Sequence, residues 1–271
     1  MKNNSVFAVE RTWPQYKSLV EDGQTPILIP VGSMEQHGHH MAMNVDVLLP
    51  NEFARRIAEQ IGGLVAPPFM YGYKSHQKSG GGNFFSGTTS LDGGTLVSAL
   101  KDLIKEFVRH GNRNFCLVNG HFENSWFISE GIDLALRELK WDGITGVKAV
   151  VLSYWDFVDE DTLAALYPNG FPGWEMEHAG VMETSLMLKL HPELVKLEDA
   201  IDHAPPAFPP YDVYPPHQDW TPATGTLSSP VEATAEKGEL LLSVCTKRIV
   251  TALKKEFADR SAVSAAATAA Q

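Results

Sequence analysis

P-I-L-I-P-V-G-S-M-E-Q-H-G-H-H-M-A-M-N-V-D-V, residues 26–47, joins two unlike halves. Residues 26–29 are a short apolar run bounded by turn formers, the pattern of a buried strand. Residues 35–40 then hold one carboxylate and three imidazoles, and Asp46 adds another carboxylate. A solvated loop would use Lys, Ser and Asn, whereas Glu35, His37, His39, His40 and Asp46 sit among Val31, Met34, Met41, Met43 and Val45. Ionisable groups among apolar neighbours must be paired or bound to a cation, because burying them bare costs several kcal/mol each.

A second stretch makes the first interpretable. The apolar run 115–118 leads straight into N-G-H-F-E-N, residues 119–124. His121 and Glu123 are two apart, so in extended chain both face one side, and Glu35 and His37 share that spacing. Two strand ends together with Asp46 supply five ligands. That set suits two divalent metals sharing a carboxylate and a water or hydroxide, the arrangement of metal-assisted hydrolysis. Three carboxylates, two imidazoles and no thiolate favour borderline or hard ions without choosing between them. The plainer alternative is a buried polar network with no metal. His39 and His40 exceed the ligand count and are expected to give structural support.

Working outward, Phe53, Ile57 and Ile61 recur every four residues in a helix that starts near residue 49 and stops at Gly62-Gly63. A strand is expected over 64–67, then a long glycine-rich loop over 71–90, of the kind that is functional or mobile. Its glycines lack the spacing and the Gly-Lys-Ser/Thr end of a phosphate-binding loop. Leu96, Leu100, Leu103, Ile104 and Phe107 mark a helix ended by Gly111, and strand 115–118, helix 128–139 and strand 147–152 follow. Such alternation predicts an α/β fold: a single three-layer domain over 1–260, its mostly parallel sheet carrying helices on both faces. Ligands gather at the carboxyl ends of such strands, where both clusters fall.

Beyond residue 153 the alternation stops. A turn-rich excursion over 168–174 ends in E-M-E-H-A-G-V-M-E-T-S, residues 175–185, a third ligand-rich stretch that opens a helix over 181–190. Glu177 and Glu183 are as suited to orienting neighbours as to reacting. Prolines dominate 204–230, which excludes helix and central strand. Phe208, Tyr211, Tyr214 and Trp220 suggest an ordered arm packed on a surface, a neighbouring subunit being one candidate. A helix over 236–257 precedes an Ala- and Ser-rich tail, 261–271, expected to be disordered.

Composition narrows the class. With 271 residues, 44% of them hydrophobic, the chain can bury a large core. Its formal net charge of -11 argues against nucleic acid as a partner. No secretory signal and no run approaching the roughly 20 apolar residues of a membrane span is seen, so a soluble cytoplasmic protein is expected. Cys116 and Cys245 lack metal-ligand spacing and read as inert core residues. His110 ends a helix, where a cation suits the dipole. With His76, His191, His203 and His217 it is expected to be structural or solvated.

Taken together, these stretches resemble the creatininase family. The likeness is carried by V-G-S-M-E-Q-H-G-H-H (31–40), N-V-D (44–46), K-S-G-G-G-N (78–83), G-T-T-S (87–90), N-G-H-F-E-N (119–124), S-Y-W-D-F (153–157), E-H-A-G (177–180) and E-T-S (183–185), and it spans about 5–257. It implies a homohexameric hydrolase of a cyclic amide, interconverting creatinine and creatine. One metal would be held by Glu35, Asp46 and His121 and the second by His37, Asp46 and Glu123, so that Asp46 bridges. The second would be zinc and the first zinc or manganese. The resemblance also implies a substrate contact at Ser79, a movable lid around Trp155, an aromatic wall at Trp174 and a catalytic histidine at His178. Phe122 stands where the family has a tyrosine near the substrate, and Glu175 where it has an aspartate.

The mechanism so implied has a metal-activated water attack the ring carbonyl while His178 protonates the departing nitrogen, Glu123 serving as a second proton carrier. Two rivals stay open. A related amidohydrolase acting on a formamide or another small cyclic amide would keep the metals and change the pocket. A non-enzymatic metal-binding or assembly protein would need neither lid nor His178.

Overall fold

Four parallel strands form the centre of the computed structural model, which describes residues 5–258. They are β1 (Ile27–Val31), β2 (Leu64–Val65), β3 (Asn114–Asn119) and β4 (Lys148–Ser153), in the order β2-β1-β3-β4. In register, Ile27 pairs with Leu64 and Phe115, and Asn114 with Lys148. β1 and β3 are buried at every residue, which is why they read as continuous apolar runs. Pro30 is tolerated inside β1 because β2 has already ended on that side; the Pro30 carbonyl accepts from Phe69 at 2.9 Å.

Alternate side chains of the two central strands feed two cores. Leu28, Cys116 and Val118 pack with α2 (Val45–Ile61), α6 (Val181–Leu190) and α7 (Ala235–Ala258). Ile27, Ile29, Val31, Phe115 and Leu117 pack on the other face with α3 (Gly93–Arg109) and α4 (Ser125–Trp141), and α1 (Trp13–Val20) joins through Tyr16, Leu19 and Val20. Three layers result, as the alternation predicts. α1 and the short α5 (Glu160–Leu166) lie where no helix is expected from the sequence. Neither is long enough to show a periodic stripe.

α2 is the element that positions the site. It begins at Val45, four residues before the expected start, so Asp46 sits in its first turn and Pro50 lies inside it. A carboxylate there suits the positive end of the helix dipole. Pro50 has no N–H to bond the Asp46 carbonyl. Gly32, after β1, and Gly120, after β3, let that carbonyl come close: a Cβ on either would lie 2.4 or 2.3 Å from the Asp46 oxygen. Two glycines therefore bring Asp46 against both strand ends.

The 204–230 stretch contains no α-helix or strand, only the short 3-10 turn Gln218–Trp220, as its prolines require. It packs on its own chain: Gln77 donates to the His217 carbonyl at 2.9 Å, and Leu227 is buried. Cys116 and Cys245 are free and buried. Among the described residues no helix is long and apolar enough to cross a membrane. The tail, 261–271, lies outside the described residues.

Candidate metal centre

Glu35 and His37 leave the end of β1, His121 follows β3, and Asp46 enters from α2; all four are buried. His121 Nδ1 lies 3.0 Å from Glu35 Oε2 and 3.1 Å from Asp46 Oδ2. His37 Nε2 lies 3.1 Å from Asp46 Oδ1 and 3.6 Å from Glu183 Oε2. The other ring nitrogen of each imidazole faces a carbonyl, His37 Nδ1 that of Glu35 at 3.1 Å and His121 Nε2 that of Tyr73 at 3.0 Å. A carbonyl only accepts, so those nitrogens donate. His37 Nε2 and His121 Nδ1 are left as the ligand atoms, each ring oriented from behind.

Ligand-type atoms gather in three buried groups among the described residues, each within 4.8 Å: Glu35, Asp46 and His121; His37, Asp46 and Glu183; and Glu35, His37 and His178. Asp46 belongs to the first two, as a bridging carboxylate must. Four buried atoms here, Glu35 Oε1, His37 Nε2, Asp46 Oδ2 and Glu123 Oε2, have no hydrogen-bond partner. Buried polar atoms are rarely left so, and unpartnered lone pairs of this kind fit divalent cations.

The electrostatics ask for positive charge. Burial pushes Glu35 up to about 8 against the pull of His121. It also opposes charge on His37 and His121, yet Asp46 and Glu183 hold the first, and Glu123 and Glu35 the second, well above the usual imidazole range. Asp46 is held well below the carboxylate range because the two imidazoles outweigh its burial. His40, expected to be support, bonds Thr184 Oγ1 at 2.9 Å and is pushed down to about 4 by burial and by His37. His39 is exposed.

Two of the expected site carboxylates lie apart from the three groups. His121 is extended, but Phe122–Asn124 is a 3-10 turn, so the two-residue strand spacing does not govern Glu123. Glu123 joins none of the three groups. Its Oε1 accepts from Ser79 Oγ at 2.7 Å and from the His76 N–H at 2.8 Å, while Oε2 stands 3.3 Å from His121 Nε2. Glu183, from the first turn of α6, lies in the group with His37 and Asp46. Secondly, Glu175 is exposed and outside the cleft beside the cluster. Ser79, Phe122, Trp155, Trp174 and His178 do line that cleft, with Tyr154, Glu177, Met182 and Glu183. Phe122 stacks near Trp155 with ring centroids 6.5 Å apart.

His178 is buried beside His37, ring centroids 4.6 Å apart, and burial and that neighbour push it well below the usual range. Its Nε2 is 2.9 Å from the Gln36 carbonyl and 2.9 Å from Gln36 Nε2. The two amide hydrogens of Gln36 go to the carbonyls of Gly225 at 2.8 Å and Gly80 at 3.3 Å. His178 Nε2 therefore carries a hydrogen donated to the Gln36 carbonyl. Gln36 is the residue a search for ligand types passes over; the E-Q-H-G motif that contains it was the only signal.

Comparison with known proteins shows the family. The sequence profile of the creatininase family, described as creatinine amidohydrolase, matches residues 9–253. The chain belongs to the creatininase family. Within it, the chain is 58% identical over 256 residues to the creatinine amidohydrolase of Pseudomonas putida, covering 94% of this chain and 98% of that one. A manganese form of creatininase and a Zn-Zn form of a mutant creatininase superpose at TM-scores of 0.92 and 0.93, each 58% identical and covering 94% of this chain and 99% of the other. A mutant creatininase complexed with creatine matches at 0.91 and 57% identity, with the same coverage.

Proposed function

We propose that this protein is a dinuclear metal-dependent amidohydrolase that interconverts creatinine and creatine by hydrolysis of the ring amide. The observation that carries this is Asp46 shared between two buried ligand groups, with buried ligand atoms of Glu35, His37, Asp46 and Glu123 left without a hydrogen-bond partner. Glu35, Asp46 and His121 would hold one ion and His37 and Asp46 the other, completed by Glu183 or Glu123, with zinc or manganese the ions that suit this donor set. Bound divalent ions polarise an amide carbonyl and acidify water.

The chain's own residues supply the rest. Trp155 and Trp174 line the cleft with Phe122 and offer flat faces to a planar five-membered ring. The Ser79 hydroxyl spends its hydrogen on Glu123, so its lone pairs are free for an N–H of the substrate. Hydrolysis adds hydroxyl to the carbonyl carbon and a proton to the ring nitrogen. With Nε2–H held by Gln36 and the ring kept neutral by burial, the second ring nitrogen of His178 carries a lone pair; it would take a proton from the attacking water and hand it on to the ring nitrogen. The catalytic unit is residues 1–260, acting as a cytoplasmic homohexamer on a small molecule with no nucleic-acid or membrane partner.

Metal analysis and a creatinine-to-creatine assay on one preparation test the reading. Two divalent ions per subunit are expected, with turnover lost on chelation and regained with zinc or manganese. Hydrolysis of formylated amines in place of creatinine would move the assignment to another amide. Bound metal with no amide hydrolysed would leave a binding protein.

A further inference from the structure

The loop 75–82 carries Ser79 and the His76 N–H, both of which bond Glu123 Oε1. Its backbone runs directly against the ligand cluster: a Cβ on Gly80 would lie 2.3 Å from Glu35 Oε1 and 3.2 Å from Glu123 Oε1. A segment with glycine at 80, 81 and 82 has little intrinsic stiffness. Its shape must come from outside.

Lys78 provides that tie. Its ammonium donates to the Pro209 carbonyl at 2.9 Å, to the Tyr211 carbonyl at 2.8 Å and pairs with Asp212 Oδ1 at 2.8 Å. An ammonium has three hydrogens, and all are used on one short stretch of the proline-rich arm. The side chain is only 17% exposed, unlike that of an ordinary surface lysine. Gln77 reaches the His217 carbonyl of the same arm at 2.9 Å, and His76 Nε2 stands 3.5 Å from Asp212. Prolines limit how far the arm can yield.

We infer that Lys78 is a positioning residue for the substrate pocket: by tying the glycine-rich loop to the proline-rich arm it holds Ser79, and through Ser79 the Glu123 carboxylate, where substrate is bound. This rests on the amidohydrolase reading for its kinetic half only. Lys78→Met is compared with wild type as the full-length, metal-loaded enzyme. The expected result is a KM for creatinine raised about tenfold with a smaller change in kcat, and faster amide exchange over 76–82 with α2 and α3 unchanged. Lys78→Arg, which keeps the charge and the donors, should recover most of both.

Unchanged KM and exchange in Lys78→Met would overturn the inference, as would exchange that rises evenly through the chain, the mark of a general loss of structure. If wild type fails to hydrolyse creatinine while Lys78→Met still loosens 76–82, the tie stands and the substrate assignment falls. Should Lys78→Met not fold, Asp212→Ala removes one partner from the exposed side. A two- to threefold rise in KM is expected there, and wild-type KM with wild-type exchange overturns the inference.

Discussion

The backbone N–H of Ala179 donates at 2.7 Å to Oε2 of Glu183, the same oxygen that stands 3.6 Å from His37 Nε2. Ala179 has φ of 54°, left-handed for a residue with a Cβ, and it directly follows His178. One carboxylate therefore serves the ligand cluster and holds the turn that carries the proposed proton donor.

Glu183→Gln separates those duties. Its amide oxygen can still accept from Ala179, so the melting temperature should stay within a few degrees while metal affinity drops roughly tenfold or more, by analogy with the loss of a partner to a metal ligand. Glu183→Ala should lose both. Metal content after dialysis and thermal denaturation read the two effects. Full metal content in Glu183→Gln together with metal loss in Glu123→Gln would restore the trio of His37, Asp46 and Glu123 implied by the family resemblance.

Removing His178 should spare the metals. His178→Ala is expected to lose roughly 10²- to 10⁴-fold in kcat, with metal content equal to wild type. Turnover near wild type would exclude it as the proton donor.

Glu177 predicts a pH dependence of stability. Burial pushes its carboxyl up to about 7 from the usual 4.5, despite the bond from the Met182 N–H. Between those values the folded chain holds a proton that the unfolded chain has released, so stability falls as pH rises through that window and stays lower above it. The full effect is about 3 kcal/mol. Glu177→Gln removes it, so the variant should melt increasingly above wild type from pH 5 to pH 7, with a constant difference beyond. Parallel melting curves would show that Glu177 does not titrate in this range.

Phe122 is 42% exposed at the cleft. Phe122→Tyr adds a hydroxyl there, and one new hydrogen bond to substrate should lower KM by about two- to tenfold. An unchanged KM would mean that the ring edge does not reach the substrate.

Much of this was legible in the chain. The apolar runs over 26–29 and 115–118 need a sheet covered on both faces, and the residues after them could only be paired or metal-bound, because charge does not survive bare in such surroundings. Residue type and spacing singled out Glu35, His37, Asp46 and His121, which the structure brings together, and sufficed for the helix and strand alternation between residues 26 and 153.

Tertiary structure alone decided which side chains surround each ligand group. Local spacing speaks for a few residues of one conformation, and the 3-10 turn at 122–124 turned Glu123 toward Ser79 instead of along a strand. Glu183 lies 137 residues beyond Asp46 in numbering and reaches His37 only because α6 packs on the same sheet face as α2. Such encounters depend on how distant layers settle against one another, and on two glycines small enough to admit the carbonyl of Asp46. The same holds for Lys78 and its arm, whose meeting is set by packing and leaves no periodic trace in the sequence.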